Sequence, residues 1–203
     1  MFRFPSPIQL MHRIAGQPAV YDLIQRAAGI EVTRARLAHL LQDTSGVLLD
    51  VGAGTGNYVD LLPAGTRYVW LDNDVEKLRG FRRVHPGELA VLSNAERMAI
   101  REGSVDYALS VALSHHLTDS ELDGFLASVA RICRRGFIFL DAVDCPESAV
   151  SRALWKYDRG SHPRKLEDLR GRLDRYFTIE TESSYRVYHA YLLCRAVPRP
   201  RVS

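Results

Sequence analysis

Residues 47–62 read VLLDVGAGTGNYVDLL. VLLDV is a short, continuous apolar run, the pattern of a strand buried on both faces. Glycines follow at 52, 54 and 56, and NYVDLL then begins a helix-like pattern. Glycine admits dihedrals closed to other residues and lets a ligand come close to the backbone. A helix starting at NYVDLL would present free N–H groups and partial positive charge, which favours a carboxylate or phosphate. The dinucleotide fingerprint is G-x-G-x-x-G. Here the third glycine comes one residue early, with Asn57 behind it. Asn57 also reads as a local cap of the expected helix.

The next apolar run outward, RYVWLD, ends at Asp72, 20 residues after Gly52. A carboxylate at the end of a second strand accepts hydrogen bonds from both hydroxyls of a ribose. With no need of a positive neighbour, it argues against a phosphorylated ribose. Asp74 opens the following helical stretch and reads as its cap.

Strand-like and helix-like stretches then alternate. DVEKLRGFRR is a helix, ELAVLS a third strand and VDYALSVAL contains a fourth. SELDGFLASVARIC places Leu122, Phe125, Val129 and Ile132 on one helix side, and GFIFLDAV is a fifth strand. This alternation of helices with continuous apolar strands implies a parallel sheet covered on both faces. Residues 1–46 look helical, with Leu37, Leu40 and Leu41 as an apolar stripe. Beyond residue 145, the chain turns polar and irregular after a short helical start. KLEDLRGRLDRYF is the next helix, and TIETESS and YRVYHAYLLCRAV are two strands suited to antiparallel pairing.

The chain has 203 residues, 46% hydrophobic and 25% charged, the composition of one soluble globular domain. A net charge of +3 is too small to argue for a strong nucleic-acid binder. Cys133, Cys145 and Cys194 are widely spaced and lack C-x-x-C, which speaks against a disulfide scaffold or four-thiolate zinc site. Reduced thiols and a cytoplasmic protein are expected. The N-terminus does not read as a signal peptide, and no segment has the apolar length of a membrane span.

VLLDVGAGTG, YVWLD and LSNAERMAIREGSVDYALSVALSHHL together resemble a class I S-adenosylmethionine-dependent methyltransferase, most clearly over residues 47–143. The resemblance implies an α/β, Rossmann-like, seven-stranded and mostly parallel sheet, with an antiparallel final strand and helices on both faces. It implies one methyltransferase domain over 1–203. Its parts would be an N-terminal helical cap or lid (1–46), a cofactor-binding core (47–145), a substrate-side insertion and helix (146–175) and a terminal strand pair (176–197). S-adenosyl-L-methionine is the implied cofactor. Gly52, Ala53, Gly54 and Gly56 would lie under its methionine part, with Asp50 helping to hold the loop. Asp72 would take the ribose, with Asn73 after it in a place that is often apolar. Asn94 and Ala95 would lie by the adenine, with Glu96 and Met98 on the same side. Val111 and Ala112 would face the transferred methyl, and Tyr21 would contact the cofactor from the lid.

Methyl transfer from a sulfonium is a direct displacement, which rests on alignment of nucleophile, methyl and sulfur. It requires no metal, and no convincing ligand cluster stands out, since adjacent side chains such as those of His115 and His116 point apart on regular structure. A hydroxyl acceptor benefits from a base, and this histidine pair lies at the carboxyl edge where α/β sheets bind ligands. The alternative reading is polar packing. WKYDRGSHPR, residues 155–164, offers Tyr157, Asp158, Arg159 and His162 as a polar pocket wall, or else a solvated loop before the next helix.

The leading reading is therefore methyl transfer to oxygen or nitrogen of a small molecule. No Asn/Asp-Pro-Pro-Tyr-type motif follows the fourth strand, which leans away from base and glutamine methylators. The rivals are an RNA or protein methyltransferase, using arginines 79, 82, 83, 131, 134 and 135, and a non-catalytic interaction protein on the cofactor fold. The acceptor and the oligomeric state are left open.

Overall fold

The computed structural model describes residues 30–157 and 162–200. Helix α1 spans Ile30–Leu41, and strands β1 (Val47–Val51) and β2 (Arg67–Asp72) follow. Next come α2 (Val75–Val84), β3 (Leu89–Leu92) and β4 (Val105–Val111). The chain continues through α3 (Asp119–Ile132), β5 (Cys133–Val143), α4 (Ala149–Tyr157) and α5 (Leu166–Tyr176). It closes with β6 (Phe177–Arg186) and β7 (Ala190–Pro198).

The seven strands form one sheet in the order β3-β2-β1-β4-β5-β7-β6. β7 pairs antiparallel with both neighbours, and the other pairings are parallel. The expected α/β sheet with its antiparallel final strand is therefore present. Strand order reverses between β1 and β4, which opens a crevice at the carboxyl edge.

Side chains of a strand alternate between faces, and each face here has its own core. Leu49, Val51 and Phe137 pack with Phe125 and Val129 of α3 and Leu173 of α5. Leu48, Trp70 and Ile138 pack on the other face with Leu37 and Leu41 of α1 and Phe81 of α2. Two helix starts are capped as the sequence suggests. Asp74 accepts from the Glu76 and Lys77 amides, and Thr118 forms a reciprocal capping box with Glu121.

Four local expectations change. NYVDLL is not a helix: Val59–Leu61 makes a single 3-10 turn, because Pro63 and Gly65 follow too soon for a second turn. Asn57 thus has no helix to cap, and no helix dipole follows the glycines. β5 starts at Cys133, directly from the end of α3, so the strand expected from Gly136 begins three residues earlier. The last hairpin turns at Val187–His189, so Tyr185 and Arg186 belong to β6. The cross-strand Tyr185–Tyr191 pair, stacked at 5.1 Å, fixes that register. Met98 is buried in the α3-side core rather than lining a cleft, since Arg131 of α3 draws in its carbonyl at 2.8 Å.

Among the described residues, no helix is long and apolar enough to cross a membrane. The expected contacts of Tyr21, Asp158 and Arg159 lie outside the described residues, and Tyr157 is the last residue of α4.

Candidate active site

The glycine loop leaves β1 at the switch point, and Gly52, Gly54 and Gly56 all have positive φ. Two of them do different work. A Cβ on Gly56 would lie 2.6 Å from the Phe81 ring, so this position is closed by α2 packing beneath the loop. A Cβ on Gly54 would meet only the Gly52 carbonyl, at 4.0 Å, so this position faces open space. Backbone and side-chain bonds pin the loop from below. The amides of Gly52 and Ala53 both donate to Leu71 O, and Trp70 Nε1 donates to Gly54 O at 2.9 Å.

Asp72 is buried at the end of β2, and Gly54 N donates to its Oδ2 at 3.0 Å. Asp74 N donates to its Oδ1 at 3.1 Å, and Lys77 Nζ reaches Oδ2 at 3.3 Å. The carboxylate does have a positive neighbour, which the sequence reading did not foresee because Lys77 returns to it from the first turn of α2. Asn73 and Asn94 meet at the ends of β2 and β3, where Asn73 Nδ2 donates to Asn94 Oδ1 at 3.1 Å. Ala95 and Glu96 form a 3-10 turn against α3, with Glu96 O accepting from the Ser128 hydroxyl.

Asp50 turns away from the loop that it was expected to hold. Alternation along β1 aims it at the α1/α2 face, where the Tyr68 hydroxyl donates to its Oδ2 at 2.7 Å. Burial raises its pKa to about 7 despite that hydrogen bond, and Asp72 adds to the rise.

The second half of the site begins where β4 ends. Val111 is half-buried, and Ala112 has φ 55°, the one non-glycine residue with positive φ among the described residues. Such a conformation is strained by about 1–3 kcal/mol and is typical of functional turns. Leu113 touches the glycine loop: a Cβ on Gly52 would lie 3.0 Å from it. The chain then makes a 3-10 turn over Ser114–His116. His115 and His116 do not point apart there, because the turn is not a strand. Their ring centroids are 4.1 Å from each other.

His115 Nδ1 lies 2.5 Å from Oδ1 of Asp141, a β5 residue with no solvent exposure. Burial alone would raise the Asp141 carboxyl. The charge and hydrogen bond of His115, with the amides of Ser114 and Ala142, outweigh it and hold the group below the usual range. Arg164, 7% exposed, clamps the same turn. Its guanidinium donates to Ser114 O at 2.8 Å, to Leu117 O at 2.6 Å and to Asp119 Oδ1 at 2.9 Å. His162 joins the turn through its backbone, with its amide donating to His115 O at 2.5 Å, while its side chain is exposed.

The two halves are a glycine-lined crevice with a buried acid and, touching it, an aspartate–histidine pair. A family model described as a methyltransferase domain matches residues 49–140. The chain folds as a class I S-adenosylmethionine-dependent methyltransferase. A Pyrococcus horikoshii protein is 16% identical with a TM-score of 0.72, covering 91% of this chain and 93% of its own. Magnesium protoporphyrin IX methyltransferase from Synechocystis, solved with bound S-adenosylhomocysteine, is 17% identical with a TM-score of 0.65, covering 93% of both chains. Geranyl diphosphate C-methyltransferase from Streptomyces coelicolor, in a complex that includes S-adenosylhomocysteine, is 12% identical with a TM-score of 0.67, covering 92% of this chain and 89% of its own. No curated protein matches the sequence.

Three residues of this methyltransferase fold were missed in the sequence: Asp141, Arg164 and Trp155 as a ring beside His115, 5.5 Å away. Asp141 carried the one available signal, an acid inside the otherwise apolar GFIFLDAV strand. A charge at the centre of a buried strand needs a partner, and the nearby His-His sequence was the candidate. Among the described residues, no group of three or more His, Cys, Asp or Glu suits a metal ion.

Proposed function

We propose that this protein transfers the methyl group of S-adenosylmethionine to an oxygen or nitrogen of a small molecule, with His115 as the base. The observation that carries this reading is the buried Asp141–His115 pair packed, through Leu113, against the glycine loop. The residues of the crevice fit the cofactor. Gly54 leaves free the volume that a Cβ would fill, and the Asp72 carboxylate offers the acceptors that a ribose diol needs. Asn73 and Asn94, already bonded to each other, stand ready beside it for the polar edge of a purine.

When bound, S-adenosylmethionine supplies a methyl on a positively charged sulfur; the acceptor oxygen bonds to that carbon while the carbon–sulfur pair remains on sulfur. The acceptor proton passes to Nε2 of His115. Asp141 stays ionised, fixes Nδ1–H as the donor on the far side of the ring and stabilises the imidazolium that forms. His115, rather than His116, takes this role because the carboxylate orients it.

Four of the six arginines of the RNA reading are engaged locally. Arg131 donates to the carbonyls of Met98 and Ile100, Arg134 pairs with Asp106, Arg79 with Glu76, and Arg135 lies over the Tyr107 ring. These four serve local structure, while Arg82 and Arg83 stand exposed on α2. Calorimetry with S-adenosylmethionine and with NAD, followed by transfer of labelled methyl to metabolite and RNA pools, tests the proposal. Binding of the methyl donor and label in small molecules is expected. NAD binding without S-adenosylmethionine binding, or label confined to RNA, overturns it.

A further inference from the structure

From the Asp141–His115 pair a continuous run of rings leads away from the glycine loop along the carboxyl edge. His116 contacts His115 at 4.1 Å, His115 contacts Trp155 of α4 at 5.5 Å, and Trp155 contacts His189 of the last hairpin at 4.5 Å. His189 then meets Tyr191, at 6.2 Å, which stacks on Tyr185. These six rings come from four separate parts of the chain. None belongs to the fully buried core, and His116 is exposed while the others are half-buried. Tyr185 and Tyr191 pack against the α1/α2-side core, and His115 joins the row to the buried Asp141.

The row is held in place from behind. Ser151, with no solvent exposure, has its hydroxyl 2.9 Å from His189 Nδ1. The Tyr185 hydroxyl is 2.9 Å from that of Thr33 in α1, and the Arg36 guanidinium covers the Tyr185 ring. Burial pushes the Tyr191 hydroxyl up to about 12, helped by Tyr185 and Asp141, so the wall is uncharged there at neutral pH. The nearby acid Glu147 is matched by Arg186 at 2.8 Å.

We infer that this row is the acceptor wall and that the acceptor is a neutral planar molecule bearing a phenol-like hydroxyl. The inference rests on the methyl-transfer reading above and narrows its substrate. Two independent features agree on it. Flat π faces favour a flat aromatic partner over a saturated one. Base strength points the same way: a phenol, with a pKa of about 10, gives up its proton to an imidazole far more readily than an aliphatic hydroxyl, which resembles water at about 16. Trp155 lies beside His115, so a ring held on it stands next to the proposed base. Aromatic rings attract cations, but an ammonium nitrogen has no lone pair with which to take a methyl group, so a charged amine would not be the reacting form.

The test is calorimetric titration of the full chain with 2-naphthol, cyclohexanol and benzylammonium, with and without saturating S-adenosylhomocysteine. 2-Naphthol is expected to bind at least tenfold more tightly than the other two. Trp155→Leu should remove that preference, Trp155→Phe should keep most of it, and neither should change S-adenosylhomocysteine affinity. Equal binding of cyclohexanol, tighter binding of benzylammonium, or an unchanged preference in Trp155→Leu overturns the inference. Ring preference without any binding of S-adenosylhomocysteine supports the wall and sinks the methyl-transfer reading instead.

Discussion

The glycine-loop half of the site and the histidine half are built by opposite means. The first uses backbone: three positive-φ glycines, amides donating to Leu71 O, and one strand-end acid. All its parts lie in the consecutive run of chain from β1 to the turn after β3. The second uses side chains from β4, β5, α4, the segment before α5 and the last hairpin, joined only by topology. The first half is written in local conformation, and the second is assembled from residues that sequence separation hides.

The sharpest way to break that division is to remove the base. His115→Gln is expected to lower turnover of an acceptor such as 2-naphthol by about 10²–10⁴-fold. S-adenosylhomocysteine affinity by calorimetry should stay unchanged. A loss under tenfold would mean that the acceptor needs no base, as with a neutral amine, and the two halves would then differ in construction but not in task.

Asp50 tests whether the cofactor half stores its own electrostatic cost. Its folded pKa is raised from 3.8 to about 7, chiefly by burial. The native state therefore holds a proton that the unfolded chain gives up. Its stabilising contribution is complete below about pH 4 and is lost as pH rises through 7. The full loss is on the order of 4 kcal/mol. Asp50→Asn keeps an oxygen for the Tyr68 hydroxyl and removes the charge. Urea unfolding between pH 4 and 8 should show the variant gaining stability over the wild type as pH rises, with the gap closed near pH 4. A constant difference across that range would show that Asp50 titrates normally.

Legibility in the sequence follows the same division. Glycine spacing and Asp72 could be read because each residue type has a local cause: a left-handed backbone, an acid ending a strand. Strand alternation gave the sheet for similar reasons. The helix expected at NYVDLL failed because Pro63 and Gly65 outweigh a short apolar pattern. Asp50 was assigned to the loop although alternation along VLLDV already aimed it with Leu48 at the opposite face. His115 was noticed, but its partner Asp141 lies 26 residues on. Arg164 lies 50 residues from Ser114. No periodicity encodes those distances.

Within the loop, two alanine substitutions separate support from contact. Gly56→Ala forces a Cβ to within 2.6 Å of Phe81 at φ 79°. It should cost about 2–4 kcal/mol of stability, combining overpacking with left-handed strain. Gly54→Ala meets open space at φ 56° and should cost about 1–2 kcal/mol. It should nevertheless weaken S-adenosylhomocysteine about tenfold by filling the crevice. Thermal unfolding and calorimetry read the two effects separately, and equal stability losses would remove the distinction between the glycines.

Arg164 carries the smallest expected effect and probes how the histidine half is kept in register. Its flat guanidinium reaches Ser114 O, Leu117 O and Asp119 together, bracketing both histidines. A lysine ammonium donates from a single point and cannot span those three acceptors. The Asp141–His115 geometry should loosen, so Arg164→Lys is expected to reduce turnover about tenfold, or about 1.4 kcal/mol in barrier, without changing cofactor affinity. Arg164→Ala should lose more and recover part of it on addition of guanidinium ion at concentrations that leave the wild type unaffected. If His115 is the base, the pH dependence of turnover should shift in both variants, because the turn that holds it against Asp141 has lost its clamp. If His115→Gln is slow while the Arg164 variants keep the wild-type pH profile and show no rescue, the dyad holds its own geometry. The guanidinium would then serve only to join α3 to the chain before α5.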